Sequence, residues 1–395
     1  MDVLMRRGRH VLVRGWPLLA SLVILAATPC LLNFNRHGRI AVRASIYLPD
    51  MVLQVPLPVR PIELLSDAPE VERVTIRYMS RNGPREIEAD LYTPAGGSNG
   101  RGVVFSMGAP PLDLDDKRLV RIAEDSARAG VTMLVPFSER LDDELIEPEE
   151  IDALVSEFTY MQALPGIEDD RVGYFGASVG GSLALVAAAD PRIAGEVEYV
   201  ISFGGFFDAL DTFGAIATHH IEYDGVDEEW TPRRHAEKIM ARQLIRAVDD
   251  AHDREVLTQA FIERKPKSPA ELATLGRVGR ACYDFLENSD PSAVERLSAR
   301  LPAEAVAELD DLSPRTSIAR VQADLIIIHD RGDPFIPYTE SRRLRDAVAG
   351  REGFSYDEIR LFEHVQPKLN QRPEVIAMDS TRLLFRLYQL LLRWD

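Results

Sequence analysis

Asp169-Asp-Arg-Val-Gly-Tyr-Phe-Gly176-Ala-Ser178-Val-Gly180-Gly-Ser-Leu-Ala-Leu-Val-Ala-Ala-Ala189 decides how the 395-residue chain is read. Its first part holds the apolar run Val172 to Phe175, its last part is a small-residue helical run from Gly181 to Ala189, and Gly-x-Ser-x-Gly joins them. Small residues at 176 and 180 permit a tight strand-to-helix bend that lifts the Ser178 hydroxyl above a sheet, over a helix N-terminus. The same pattern occurs at Gly96-Gly-Ser98-Asn-Gly100, so the pattern alone decides nothing. That copy lies among Pro94, Ala95 and Gly102 with no helix behind it, and it reads as a plain connection between strands.

Outward from Ser178 the sequence alternates. Val71–Tyr78 and Glu86–Tyr92 read as a hairpin around the turn residues 81–84, by period-two patterning. Gly102–Met107, Val131–Pro136, Val197–Ser202, Ala323–Ile328 and Tyr356–Phe362 read as further strands. Asp116–Arg128, Glu149–Gln162, Gly181–Ala189, Thr339–Ala349 and Glu374–Trp394 read as helices. Strand and helix in alternation predict an α/β fold, a mostly parallel sheet with helices on both faces. Between 208 and 316 the alternation breaks into polar, helix-period sequence with helices expected at 236–249, 252–263 and 269–288, too long for a loop. The expected organisation is a first core part at 71–207, a helical insertion at 208–316 and a second core part at 317–395.

A serine hydroxyl is a weak nucleophile, so an imidazole must accept its proton and a carboxylate must hold that imidazole in the useful tautomer. After the strand ending at Ile328 comes His329-Asp-Arg-Gly-Asp333-Pro-Phe-Ile-Pro337, which offers Asp333 as the acid and Asp330 as its competitor, in a loop at a strand's carboxyl end. Phe362-Glu-His364-Val365 puts His364 in the next such loop, and the order Ser178, Asp333, His364 fits the architecture. The oxyanion of an attacked carbonyl needs donors: the N–H of Val179, and one from Ala109 or Gly108, since Pro110 and Pro111 have none. The remaining histidines fit worse. His329 sits at a strand end, and the adjacent His219-His220 point apart on a helix, so no metal site is expected.

Composition bounds the rest. Forty-six per cent hydrophobic and 28 per cent charged residues describe a packed globule, and Lys+Arg 46 against Asp+Glu 63 gives −17, a field that repels nucleic acid. Cys30 and Cys282 form no metal or disulfide pattern. No charge occurs from Gly15 to Asn35, a run about 30 Å long as a helix. Arg6, Arg7, Arg9 and Arg14 precede it and Arg36, Arg39 and Arg43 follow it. Residues 1–38 are therefore expected to be an uncleaved membrane anchor with an inside N-terminus, which puts the catalytic part on the non-cytoplasmic side. A cleaved signal peptide and a buried core helix are the rival readings. Prolines 49, 56, 58 and 61 make 39–70 read as an extended tether.

The elbow 169–181, the acid loop 325–337 and the pair His364-Val365 resemble the α/β-hydrolase family, in its dienelactone-hydrolase and prolyl-oligopeptidase-like branch, over about 71–207 and 317–395. The resemblance implies a cofactor-free Ser/Asp/His hydrolase acting on esters, thioesters or amides. Two features depart from it: Met107-Gly-Ala-Pro-Pro111 stands where many relatives have His-Gly-Gly, and the insertion resembles a lid. The expected activity is carboxylic ester hydrolysis on a small acyl substrate. A peptidase is the alternative, and a non-catalytic membrane-tethered binding protein is the alternative of another class.

Overall fold

The computed structural model describes residues 35–55, 60–109 and 114–395. The uncharged run expected to anchor the chain lies almost wholly outside them. Among the described residues no helix is long and apolar enough to cross a membrane.

The core is an eight-stranded sheet of β1 (Glu70–Ser80), β2 (Gly83–Thr93), β3 (Gly100–Ser106), β4 (Thr132–Phe137), β5 (Ile167–Ala177), β6 (Val197–Phe203), β7 (Asp324–Asp330) and β8 (Phe354–Ile359). Its spatial order is β1-β2-β4-β3-β5-β6-β7-β8. β2 is antiparallel to β1 and β4, and the pairs from β4 to β8 are parallel. Gly83 closes the hairpin with φ 109°, a conformation costly to any side chain. The rejected Gly-x-Ser-x-Gly occupies the β2–β3 turn, where the Gly100 N–H donates to Ser98 Oγ at 3.1 Å.

Helices cover both faces. Labelled in chain order, they are α1 (Arg36–Tyr47), α2 (Lys117–Arg128), α3 (Glu149–Gln162), α4 (Val179–Ala187), α5 (Ala209–Thr218), α6 (Arg234–Arg246), α7 (Arg277–Leu286), α8 (Ala303–Leu312), α9 (Tyr338–Ala347) and α10 (Pro373–Trp394). α3 and α4 pack into one core on one face, while α1, α2 and α10 build the other on the opposite face. Phe158 on α3 and Leu183 on α4 are almost fully buried on the first side, Leu119 and Leu391 on the second.

Two expectations need correction. Residues 39–70 are no extended tether: α1 covers much of them, a π-helical turn follows at Leu48–Val52, and a short helix forms at Pro61–Leu65. Ile40, Ala44 and Tyr47 repeat at helical spacing and are buried, and Pro49 and Pro61 sit at helix starts, where a missing N–H costs nothing. The insertion also differs in detail. It opens with α5 and carries a hairpin of His220–Tyr223 with Val226–Glu229, and the helix expected over 269–288 breaks into Pro269–Leu272 and α7. His219 is the left-handed cap of α5 rather than a mid-helix residue, and it and His220 each face a carboxylate, Glu237 and Asp227.

Candidate active site

Ser178 ends the elbow with φ 58° and ψ −136°, a conformation uncommon for a side-chain-bearing residue and found where function holds strain. Its N–H donates to the Phe203 carbonyl at 2.8 Å and its carbonyl accepts from Gly181 N–H at 2.9 Å, which pins the bend to β6. A Cβ on Gly176 or Gly180 would run into backbone, that of Gly180 and Gly181 in one case and of Ser106 and Met107 in the other. Glycine at both positions is a packing requirement.

The Asp333 carboxylate is fully buried. Its Oδ1 accepts the N–H groups of Phe335 at 2.8 Å and Ile336 at 3.1 Å, and its Oδ2 accepts from His364 Nδ1 at 2.5 Å. That bond puts the imidazole proton on Nδ1 and leaves Nε2 free to accept. Burial alone would push the Asp333 carboxyl up, but the imidazoles of His364 and His329 hold it well below the usual carboxylate range. His364 occupies the two-residue turn of the small hairpin Phe362–Glu363 with Gln366–Pro367, at φ 61°. Gly204 (φ 70°) backs it: a Cβ there would meet His364 Nδ1 at 3.4 Å and Asp333 Oδ2 at 3.5 Å.

Ser178, His364, Gly108 and Ala109 line one cavity. The serine–histidine hydrogen bond is not made in this structure, as is common for catalytic contacts that tighten only around substrate. Gly108 approaches Ser178 so closely that a Cβ would fall 2.8 Å from Ser178 Cβ. Val179, at the first position of α4, is the other expected donor.

Asp330 has a different task. It is buried, accepts Gly332 N–H at 2.8 Å and Phe362 N–H at 3.0 Å, and so ties the acid loop to the histidine hairpin without touching His364. Burial pushes its pKa up to about 6. His329, set aside on the sequence for its place at a strand end, lies 3.3 Å from Asp333 Oδ2 through Nε2. The same nitrogen faces the Ile336 carbonyl at 3.1 Å, so it carries the proton. Trp230, in the insertion, donates from Nε1 to the Asp333 carbonyl at 2.8 Å. No local signal marks either residue, because both act through a loop distant in sequence or hidden by a strand.

Beneath the end of β3, α3 buries Glu150 and Glu157. Burial pushes the Glu150 carboxyl up to about 7 and Glu157 well above its ordinary value. With folded values above the unfolded ones, Asp330, Glu150 and Glu157 bind protons more readily folded than unfolded. Stability is therefore expected to fall as pH rises from 5 to 8, by on the order of 4 kcal/mol from Asp330 and Glu150 together, with Glu157 acting in the same direction. Relief of net charge at low pH acts in the same direction. Urea midpoints at the two pH values check this, and equal midpoints would contradict it. Asp333, with its lowered value, weakens the fold only below about pH 4.

The strand order, the bend after β5, the acid after β7 and the histidine after β8 define a class, the α/β-hydrolase architecture. No family model matches the sequence. Two proteins of Mycobacterium tuberculosis, from strains CDC 1551 / Oshkosh and ATCC 25618 / H37Rv and provisionally named phosphoribosyl transferases, are each 38% identical over 141 residues. The match takes in 34% of this chain and 31% of those proteins, so the chain spans about a third of the length of the curated relatives it matches. Among solved structures, an esterase from Pyrococcus furiosus aligns with 86% of this chain and 96% of its own at 13% identity and a TM-score of 0.45. An esterase from Pyrobaculum calidifontis aligns with 93% of this chain and 98% of its own at 15% identity and 0.44. Porphyromonas gingivalis dipeptidyl peptidase 4 aligns with 82% of this chain and 36% of its own at 13% identity and 0.45.

Proposed function

We propose that the protein is a serine hydrolase that cleaves a carboxylic ester or thioester through an acyl-enzyme on Ser178. The reading is carried by one observation: His364, held in the Nδ1–H tautomer by Asp333, lines the same cavity as the strained Ser178. His364 Nε2 takes the Ser178 proton as Oγ bonds to the carbonyl carbon, then returns it to the leaving oxygen or sulfur as that bond breaks. Water repeats the sequence in reverse, giving its proton to His364 and its hydroxyl to the acyl carbon, and Ser178 regains its hydrogen. The N–H groups of Val179 and of Ala109 or Gly108 receive the oxyanion, and the cycle draws on no cofactor.

An ester is favoured over a peptide by the cavity's lining. Its two arginines are already engaged, Arg118 with Asp116 at 2.8 Å and Arg386 with Asp357, which leaves neither to anchor a peptide terminus. A binding protein without turnover has no use for a fully desolvated Asp333 held against an imidazole. In the same reading the uncharged run 15–35 anchors the chain in a membrane, tested by whether the full chain resists carbonate extraction from membranes.

A fluorophosphonate probe decides the central claim. The full chain should be labelled at Ser178 and Ser178→Ala should take no label, and a folded wild-type protein that stays unlabelled contradicts the proposal.

A further inference from the structure

The cavity that opens at Ser178 does not run under the insertion, from which only His235 reaches it. It runs down the opposite face of the sheet. Its wall follows strand period: Val103 and Phe105 on β3, Ile201 and Phe203 on β6, Ile326 and Ile328 on β7. Its other wall follows helix period, with Leu383, Leu387 and Leu390 on α10. Met51 and Leu53, in the segment expected to be a tether, close it from above. Trp394 lies at the far end, its Nε1 donating to Tyr199 Oη at 2.9 Å. The space amounts to about 810 Å³.

Helices that cover a sheet normally fill such a space with their own side chains. Here α1 stands between them. At the end of α2 it gives hydrogen bonds from Arg43 to the Ala129 carbonyl at 2.8 Å and from Tyr47 Oη to that of Arg128 at 3.2 Å. At the end of α10 it gives them from Arg36 to Asp395 at 3.0 Å and to the Leu392 carbonyl at 3.1 Å. The turn that follows is clamped to α2, because buried Asp50 pairs with Arg121 and with Arg60 at 3.0 Å, and Arg60 also pairs with buried Asp125. The roof is thus built to hold the two helices apart. A space of this size, lined mainly by apolar side chains and not filled by any of the described residues, suits an apolar occupant better than water. Its shape asks for an apolar occupant.

Resting on the serine-hydrolase reading, we infer that the substrate is the ester or thioester of a straight-chain fatty acid, whose acyl chain lies in this tunnel along the sheet with its methyl end toward Trp394. From Gly108 down to Val103 are five residues, about 16 Å at ~3.3 Å per residue. An extended chain advances about 1.2 Å per bond, so the tunnel takes roughly ten to fourteen carbons. The carbonyl carbon then sits at Ser178 beside the expected oxyanion donors, and the leaving group departs through the open mouth.

The test uses the full chain and p-nitrophenyl esters graded from acetate to palmitate. The value of kcat/KM is expected to climb about 100-fold or more from acetate to dodecanoate, each buried methylene adding its share, and to fall beyond about fourteen carbons. Leu390→Trp, which fills the deep end, should lower the dodecanoate-to-butyrate ratio about 30-fold. Should that variant fail to fold, dodecanoate itself should protect wild-type Ser178 from the fluorophosphonate where butyrate does not. A preference that declines steadily from acetate, in protein that still takes the label, overturns the tunnel and leaves the hydrolase intact. Protein that takes no label overturns the hydrolase reading instead. A preference for long alkyl acetates over long acyl esters overturns the acyl placement.

Discussion

Asp333→Asn is expected to lower kcat by about 10³–10⁴-fold while the protein still folds. The carboxylate accepts the His364 Nδ1 proton at 2.5 Å, and an amide turned to offer its N–H₂ there would force the imidazole proton onto Nε2. The base that should receive the Ser178 proton would then be occupied. Asp330→Asn provides the contrast. Asp330 accepts the N–H groups of Gly332 and Phe362, and an amide can replace only one of its two accepting oxygens. About 1–2 kcal/mol of stability should be lost there, with kcat kept within about tenfold. Steady-state rates on a short ester and urea midpoints read the two variants side by side. If Asp330→Asn abolishes turnover and Asp333→Asn does not, the acid has been assigned to the wrong residue.

The second large effect concerns the bend itself. Gly180→Ala should cost about 3–5 kcal/mol, because the added methyl has nowhere to go but into the carbonyls of Ser106, the last residue of β3, and of Met107 directly after it, which cannot yield without moving the sheet. Gly96→Ala, at the first glycine of the other Gly-x-Ser-x-Gly, meets nothing within 4 Å and should change stability by less than about 0.5 kcal/mol. Thermal melts of the two variants check this. Equal melts would mean that the close approach of α4 to β3 is not what holds the elbow.

These two glycine motifs show how far sequence reading reaches. They are identical as patterns, and their neighbours alone separate them, since an apolar run before and a small-residue run after mark one as strand, bend and helix. Periodicity likewise gives β3, β4, β6 and β7 to within two residues and the terminal helix to within one, Glu374–Trp394 against the observed Pro373–Trp394, while β5 and β8 depart by more than two residues at one end. It failed in the proline-bearing segment, where four prolines in 49–61 masked the Ile40, Ala44, Tyr47 stripe. The broken helix at 269–288 failed for a related reason, because Gly276 starts a new helix inside an unbroken polar pattern.

The chain's own local chemistry determined its class of architecture, its bend at Ser178 and the loops in which an acid and a base would lie, because strand and helix periods and tight turns are written over a few neighbouring residues. Tertiary structure alone decided which of two aspartates touches His364, that His329 and Trp230 steady that aspartate, and that residues 36–55 roof an apolar tunnel on the face away from the insertion. All of those but the His329 contact depend on side chains tens to hundreds of positions apart meeting within a few ångströms, and His329, four residues before Asp333, is turned onto it by the loop rather than by any strand or helix period.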